Sequence, residues 1–194
     1  MDENLVPNFS EADRFLNILD PNTKAFTFQT FPEFKTEDKN LMRSLTKVFH
    51  GTFDEFKAKL GALNNFGAGI FVMVNEGDGI IHEGEKSCRC EVNITKVRAL
   101  YVDLDGAPLK PALYYKATPS MVISTSPNRY HAYWLTDDCP LEQFTLHQKA
   151  LLTQLNGDPS VCDLPRVMRL PGFYHMKQEP IMVKIFAPGT GESL

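Results

Sequence analysis

The sequence predicts an α/β or α+β domain whose second half carries a mixed or antiparallel sheet. Three observations predict it. Strand-like and helix-like patterns intermix along the chain instead of separating into blocks. Two β-prone runs, Met121–Thr125 and Tyr130–Leu135, are joined by the turn-forming tetrapeptide Ser126-Pro127-Asn128-Arg129. Apolar residues make up 43% of the 194, and 14 residues are Phe, enough for a sizeable core in one large domain or two small subdomains.

Taken in order, Ser10 is placed to cap a first helix, with Asp13 three residues on. Phe15, Leu16 and Leu19 give that helix its spacing, and Pro21 stops it. Ala25–Phe31 alternates aromatic with small or polar residues and reads as a strand. Thr52 caps a helix over Phe53–Asn65 with Phe53, Phe56, Leu60 and Leu63 on one face, and Gly67 and Gly69 end it. Ile70–Val74 is a buried strand, so this region reads as a β-α-β crossover. Asn75–Lys96 is polar, charged and Gly-rich, and long for a loop, which points to function or mobility. Val97–Asp105 is apolar and β-prone; Pro108 and Pro111 mark a connector. Pro140 opens a helix to about Leu155, with Phe144, His147, Leu151 and Leu155 in register, and Gly157 closes it. Asp158–Gly172 mixes turn residues with a short apolar run, and Ile181–Phe186 is a last strand. The chain has no internal repeat and no low-complexity tract.

Composition excludes several functions. A net charge of −4 and a pI near 5.7 argue against coating nucleic acid by bulk electrostatics, though not against a local basic groove. No run of 18 apolar residues exists, so no membrane partner is expected. Met1–Pro7 is acidic and lacks a signal-peptide pattern. Cys88, Cys90, Cys139 and Cys162 therefore read as reduced thiols of a cytoplasmic protein. Cys88 and Cys90 with His82 resemble half of a zinc site, but no second half follows, so zinc is not expected.

Three clusters can carry chemistry. In Val97-Arg98-Ala99-Leu100-Tyr101-Val102-Asp103-Leu104-Asp105-Gly106, a strand would aim Asp103 and Asp105 to one face and Leu104 to the other. Two adjacent carboxylates repel, and a divalent cation such as Mg²⁺ or Mn²⁺ removes that cost; the plainer reading is a strand running into a polar turn. In Ser124-Thr125-Ser126-Pro127-Asn128-Arg129-Tyr130-His131, Arg129 and His131 share strand parity and suit an array of anionic oxygens; the plainer reading is a solvated Arg beside a core His. In the third, Asp163 is followed by Arg166, Arg169 and Lys177. A third carboxylate beside Asp103 and Asp105 would complete a two-metal cluster, with cations to neutralise phosphate; alternatively Asp163 caps a turn and pairs with Arg166 at the surface. Tyr130, Tyr133, Phe173 and Tyr174 are available for stacking on bases, and core packing is the favoured reading for each.

In this order, V-R-A-L-Y-V-D-L-D-G, T-S-P-N-R-Y-H-A-Y-W-L and G-D-P-S-V-C-D-L-P-R-V-M-R-L-P-G-F-Y-H-M-K resemble the archaeo-eukaryotic primase superfamily, in particular the RepB-like primases and primase-polymerases of plasmids and phages. N-E-G-D-G (Asn75 to Gly79) and N-I-T-K-V-R-A (Asn93 to Ala99) are similar to that group as well, so the resemblance spans about Phe26 to Lys177. The D-x-D alone is weakly specific; the blocks in order, with R-Y-H and R-x-x-R-L-P-G, are strongly so.

The resemblance implies an archaeo-eukaryotic primase-like fold, an RNA-recognition-motif-like sheet joined to an N-terminal α/β unit. It implies a single catalytic domain over 1–188, with the N-terminal unit at about 1–95, the catalytic part at about 96–188, and a possible linker at 189–194 to a further C-terminal region. Asp103 and Asp105 fall on the family's metal-binding D-x-D, and Asp163 on its third acidic motif, preferred over Asp158 because it directly precedes R-x-x-R. His131 falls on the histidine that contacts the incoming nucleotide's phosphates. Arg129 replaces the small polar residue of the general pattern, which leaves either Ser126 or Arg129 as the second phosphate donor. Arg169 and Lys177, with Arg166 less directly, match the downstream triphosphate-binding positions. The implied activity is template-directed nucleotidyl transfer with two Mg²⁺ or Mn²⁺ ions. The implied partners are single-stranded DNA template, ribo- or deoxynucleoside triphosphates, and a helicase or C-terminal primase domain on this or another chain. The competing readings are a metal-dependent nuclease, another D-x-D nucleotidyl- or glycosyltransferase, and a non-catalytic replication-initiator module, which would need a basic stripe that the chain lacks.

Overall fold

The computed structural model describes residues 5–186; the linker expected at 189–194 lies outside the described residues. The first helix, α1 (Phe9–Leu19), is capped by Asn8, whose side chain accepts the Glu11 N–H; Ser10 is not the cap but donates to the same Asn8 oxygen at 2.7 Å. Its face of Ala12, Phe15, Leu16 and Leu19 is buried. β1 (Ala25–Pro32) follows, then a short α2 (Lys39–Leu45) and β2 (Lys47–Thr52). α3 (Phe53–Asn65) starts in a full capping box between Thr52 and Glu55, as the sequence spacing predicts. β3 is Ala68–Met73.

These elements are not a simple crossover. β2 and β3 both pair antiparallel with β1, from opposite sides, so β2-α3-β3 is a split unit with β1 between its strands. Sequence missed β2 because Lys47-Val48-Phe49-His50-Gly51-Thr52 is an edge strand with no fully buried residue.

The long polar stretch is ordered around a small ladder, β4 (Glu76–Gly77) with β5 (Ile94–Lys96). The buried Asn93 amide pins it, donating to the carbonyls of Ile80 and Cys88 (2.9 Å to the latter) and meeting His82 Nε2 at 2.6 Å.

The second sheet begins with β6 (Ala99–Asp105). α4 (Lys110–Leu113), β7 (Met121–Ser126), β8 (Arg129–Leu135) and α5 (Leu141–Leu155) follow. Asn128 takes φ 59° in the β7–β8 turn, a conformation Asn tolerates. The chain then returns to the first sheet as β9 (Val167–Arg169) and forms β10 (Tyr174–His175) and β11 (Ile181–Met182). It ends in the second sheet as β12 (Lys184–Ile185), so the predicted last strand is two short pieces. The sheet orders are β2-β1-β3-β9 and β12-β7-β8-β6, all antiparallel, in agreement with the α/β class with antiparallel pairing.

One core cluster joins α1, the first sheet and the inward face of β6 and β8 through Phe15, Phe28, Tyr101 and Tyr133; a second packs Val102 and Leu104 under α5. On α5 the exposed His147 is not part of the buried face. Gln148 takes its place, fully buried, accepting the Tyr101 N–H and donating to the carbonyls of Tyr101 (2.6 Å) and Val161 (2.9 Å). This caps one stretch of β6, an edge strand whose backbone groups would otherwise be unpaired. Among the described residues no helix is long and apolar enough to cross a membrane.

Candidate active site

The site starts from strand periodicity. β6 and β8 pair so that Asp103 stands opposite His131 and Asp105 opposite Arg129, and the two-residue repeat sends all four side chains to one face. Arg129 Nε donates to Asp105 Oδ1 at 2.8 Å, with both groups about half exposed. His131 Nε2 lies 3.8 Å from Asp103 Oδ1. Tyr130, on the other parity, packs edge-to-face on Phe186. Tyr133 and Phe173 are core residues, as favoured.

α5 delivers another acid. Asn156 ends the helix at φ 55°, and Gly157 lies so close to β6 that a Cβ there would stand 2.5 Å from Val102 Cγ1. The next N–H, of Asp158, donates to the Asp103 carbonyl at 3.3 Å. Asp158 therefore lines the same cleft as Asp103 and Asp105. Its carboxylate accepts the Ser160 N–H at 2.8 Å, which holds it below the usual carboxylate range.

Asp163, the expected third acid, does not line this cleft. Its carboxylate receives the Arg166 guanidinium instead, with Nε at 2.6 Å from Oδ1, as in the plainer surface-pair reading. The two acids are separated by a turn in which Val161 N–H returns to the Asp158 carbonyl.

The cleft has a volume of about 370 Å³ and runs between the sheets. Arg129, His131, Arg166, Arg169 and Lys177 all line it. Ser126 lines an adjoining groove of about 450 Å³ that shares Arg129, His175 and Lys177 with the main cleft. Three polar lining residues were not singled out from sequence: Thr125, His175 and Glu33. His175 lies within the third block, where it had a signal; Glu33 follows β1 with none.

Electrostatics follow from burial and neighbours. Burial, then the nearby Asp105 and Asp158 charges, push the Asp103 carboxyl up to about 6, and Arg169 and Arg129 only partly oppose this. Burial, then the Arg169 and His175 charges, push His131 down to about 3, so its imidazole is neutral at pH 7. His131 Nδ1 and His175 Nε2 are buried without a hydrogen-bond partner among the described residues. Among the described residues no three or more His, Cys, Asp or Glu side chains converge as a metal-holding group. Asp103 and Asp105 instead form an open face of hard oxygens, with Asp158 beside them. That suits a cation of the Mg²⁺ type, which takes one or two protein carboxylates and fills its remaining positions with water and phosphate.

Residues 85–186 match the family model of the RepB DNA-primase N-terminal domain. No curated protein matches the chain. Among solved structures, the chain is similar to the AEP domain of the primase-polymerase of cyanophage S-2L. The two are 18% identical over 94% of this chain and 91% of that one, with a TM-score of 0.68. It is similar to primase RepB′ at 17% identity, over 92% of this chain and 55% of that one, with a TM-score of 0.62. The catalytic domain of RepB′ in complex with initiator DNA gives 18% identity over 91% and 82%, with a TM-score of 0.61. At these identities the likeness speaks for the fold.

Proposed function

The chain belongs to the RepB DNA-primase N-terminal domain family, and from that premise we propose that it catalyses template-directed nucleotidyl transfer, making or extending primers on single-stranded DNA. The observation that carries the reading is the pair of cross-strand facings, Asp103 with His131 and Asp105 with Arg129, at one cleft that also receives Arg169 and Lys177. Acids and cations share a face, as phosphoryl transfer requires.

Asp103 and Asp105, with Asp158 in the place expected for Asp163, would hold Mg²⁺ or Mn²⁺. The donor set fits: these are hard oxygens, and Asp103 is hard to ionise until a positive charge joins it. A cation held by these carboxylates would supply acidification of an attacking hydroxyl and charge stabilisation on the phosphoryl group and leaving pyrophosphate. The chain's own cations orient the nucleotide. Arg169, Arg129 and Lys177 face its phosphate oxygens, the guanidiniums as forked donors. His131, neutral, contributes a single N–H and no charge. Ser126 extends the phosphate groove. The template in this reading is single-stranded DNA; the RepB′ structure with initiator DNA supports DNA as the partner. At net charge −4 the domain holds it modestly.

The test is a primer-synthesis gel with single-stranded template, Mg²⁺ or Mn²⁺, and each nucleotide class in turn. Wild type should incorporate label, chelator should abolish incorporation, and Asp103→Ala with Asp105→Ala should lower it at least ~1,000-fold. Near-normal synthesis by that double variant rejects the assignment; template cleavage in place of synthesis favours the nuclease.

A further inference from the structure

Glu33 is the most deeply buried acid of the cleft, its side chain 3% exposed, and it comes from the N-terminal sheet. A buried carboxylate persists only where donors surround it. Both its oxygens face the Arg169 guanidinium, Nη1 to Oε2 at 3.1 Å and Nη2 to Oε1. Oε2 also accepts the Met176 N–H at 2.7 Å, and Oε1 lies 3.8 Å from His175 Nε2. The fold leaves room for this carboxylate by omitting a side chain: a Cβ on Gly69 would stand 2.6 Å from Glu33 Cδ. The other side of the Arg169 guanidinium lies over the Phe71 ring, 4.8 Å from its centroid. Arg169 is thus held on two sides, by a forked ion pair and by an aromatic face, both supplied by the N-terminal unit.

This arrangement bears on how the cleft meets an anion. An unpartnered Arg on a loop would lose side-chain entropy on binding phosphate, whereas a guanidinium fixed in advance loses little. Glu33 also cancels one positive charge, so the cleft tolerates Arg169 and Lys177 side by side before a nucleotide arrives. His175 Nε2 is buried beside the same carboxylate and has no hydrogen-bond partner among the described residues.

We propose that Glu33 is a positioning residue for the triphosphate of the incoming nucleotide: it prebuilds the subsite by fixing Arg169 and the His175–Met176 segment. The inference rests on the polymerase reading. Its signature is selective. Losing Glu33 weakens nucleotide binding and leaves single-stranded DNA binding alone.

The experiment uses Glu33→Gln, which keeps the shape but loses the charge, and Gly69→Ala, which keeps every charge but displaces the carboxylate. Nucleotide KM, kcat and single-stranded DNA affinity are measured for both, alongside far-UV circular dichroism. Both variants should raise nucleotide KM about tenfold, change kcat less than about threefold, and bind DNA as wild type. A folded Glu33→Gln with wild-type KM overturns the proposal, as does an equal loss of nucleotide and DNA binding. If Glu33→Gln does not fold, Gly69→Ala decides alone, and a wild-type KM there overturns it. Wild type without any incorporation rejects the polymerase reading instead. Glu33 is then judged by calorimetric titration of a nucleoside triphosphate, and weaker binding by the variants still upholds it. Wild type that binds no triphosphate overturns both.

Discussion

Asp103 Oδ1 and His131 Nε2 face each other across the β6–β8 ladder at 3.8 Å, and the pair is not a salt bridge at neutral pH because the imidazole is uncharged. Asp103 therefore bears its own burial and the repulsion of Asp105 and Asp158.

The cost is measurable as stability. The folded-state pKa of Asp103, about 6, lies above the ordinary aspartate value of 3.8. A carboxyl raised in this way binds its proton more tightly folded than unfolded. It therefore favours the fold below about pH 4, and that advantage is lost as pH rises to about 6. With chelator present, Asp103→Asn should raise stability by about 1–2 kcal/mol at pH 8, discounted for the partial exposure of the group, and by nothing at pH 4. Thermal melts at the two pH values check this; a variant less stable than wild type at pH 8 contradicts it.

The choice between two acids gives the second prediction. Asp158→Asn should cost ~100-fold or more in nucleotide incorporation, because its carboxylate shares the cleft with Asp103. Asp163→Asn should cost less than ~10-fold, acting through Arg166, which it holds at 2.6 Å. Incorporation at saturating nucleotide separates them. Collapse of Asp163→Asn with an active Asp158→Asn would return Asp163 to the metal set.

How far the sequence could be read follows from the range of the interactions involved. Asp103 and Asp105 share a face through the two-residue repeat of a single strand, so their direction is local and legible. Thr52 and Glu55 specify the α3 start within four residues. Asp158 is different. It is aimed by Gly157 lying against Val102, a contact 55 positions apart in the chain, and Asp163 carried the more suggestive neighbours. Glu33 was invisible for the same reason, since it meets Arg169 136 positions away. His147 and Gln148 illustrate a polar exception. Helical spacing favours the former, but β6 needs an amide to satisfy its edge, and Gln148 supplies one.

A buried ion pair remote from the chemistry should separate stability from activity. Arg98 Nε donates to Asp20 Oδ2 at 2.8 Å, with both side chains under 5% exposed, and the guanidinium also lies over the Phe26 ring at 4.8 Å. Burial pushes Asp20 up, but the Arg98 hydrogen bond, the Asn22 N–H and the Arg98 charge outweigh it and hold the pKa below the ordinary range. That stability is present above the unfolded pKa and is lost as pH falls through the folded one. Asp20→Asn should cost about 3 kcal/mol in urea unfolding at pH 7 and leave kcat within about twofold.

Gln148 couples the two properties instead. Its amide meets the Tyr101 N–H and carbonyl and the Val161 carbonyl, so it ties β6 to the segment that follows Asp158. Gln148→Leu fits the volume but leaves three buried backbone groups unpaired, each worth about 1 kcal/mol or more. The expected loss is about 3 kcal/mol in urea unfolding, and the Asp158–Val161 turn loses its tether to α5. Nucleotide incorporation by the folded variant, measured well below its melting temperature, should fall about tenfold on the proposed reading, in which an ångström's displacement of Asp158 would take it away from a cation held at Asp103 and Asp105. Gln148→Glu should not rescue it, since it removes the donor that serves both carbonyls. A Gln148→Leu protein that is destabilised but fully active would show that the turn holds its shape without α5.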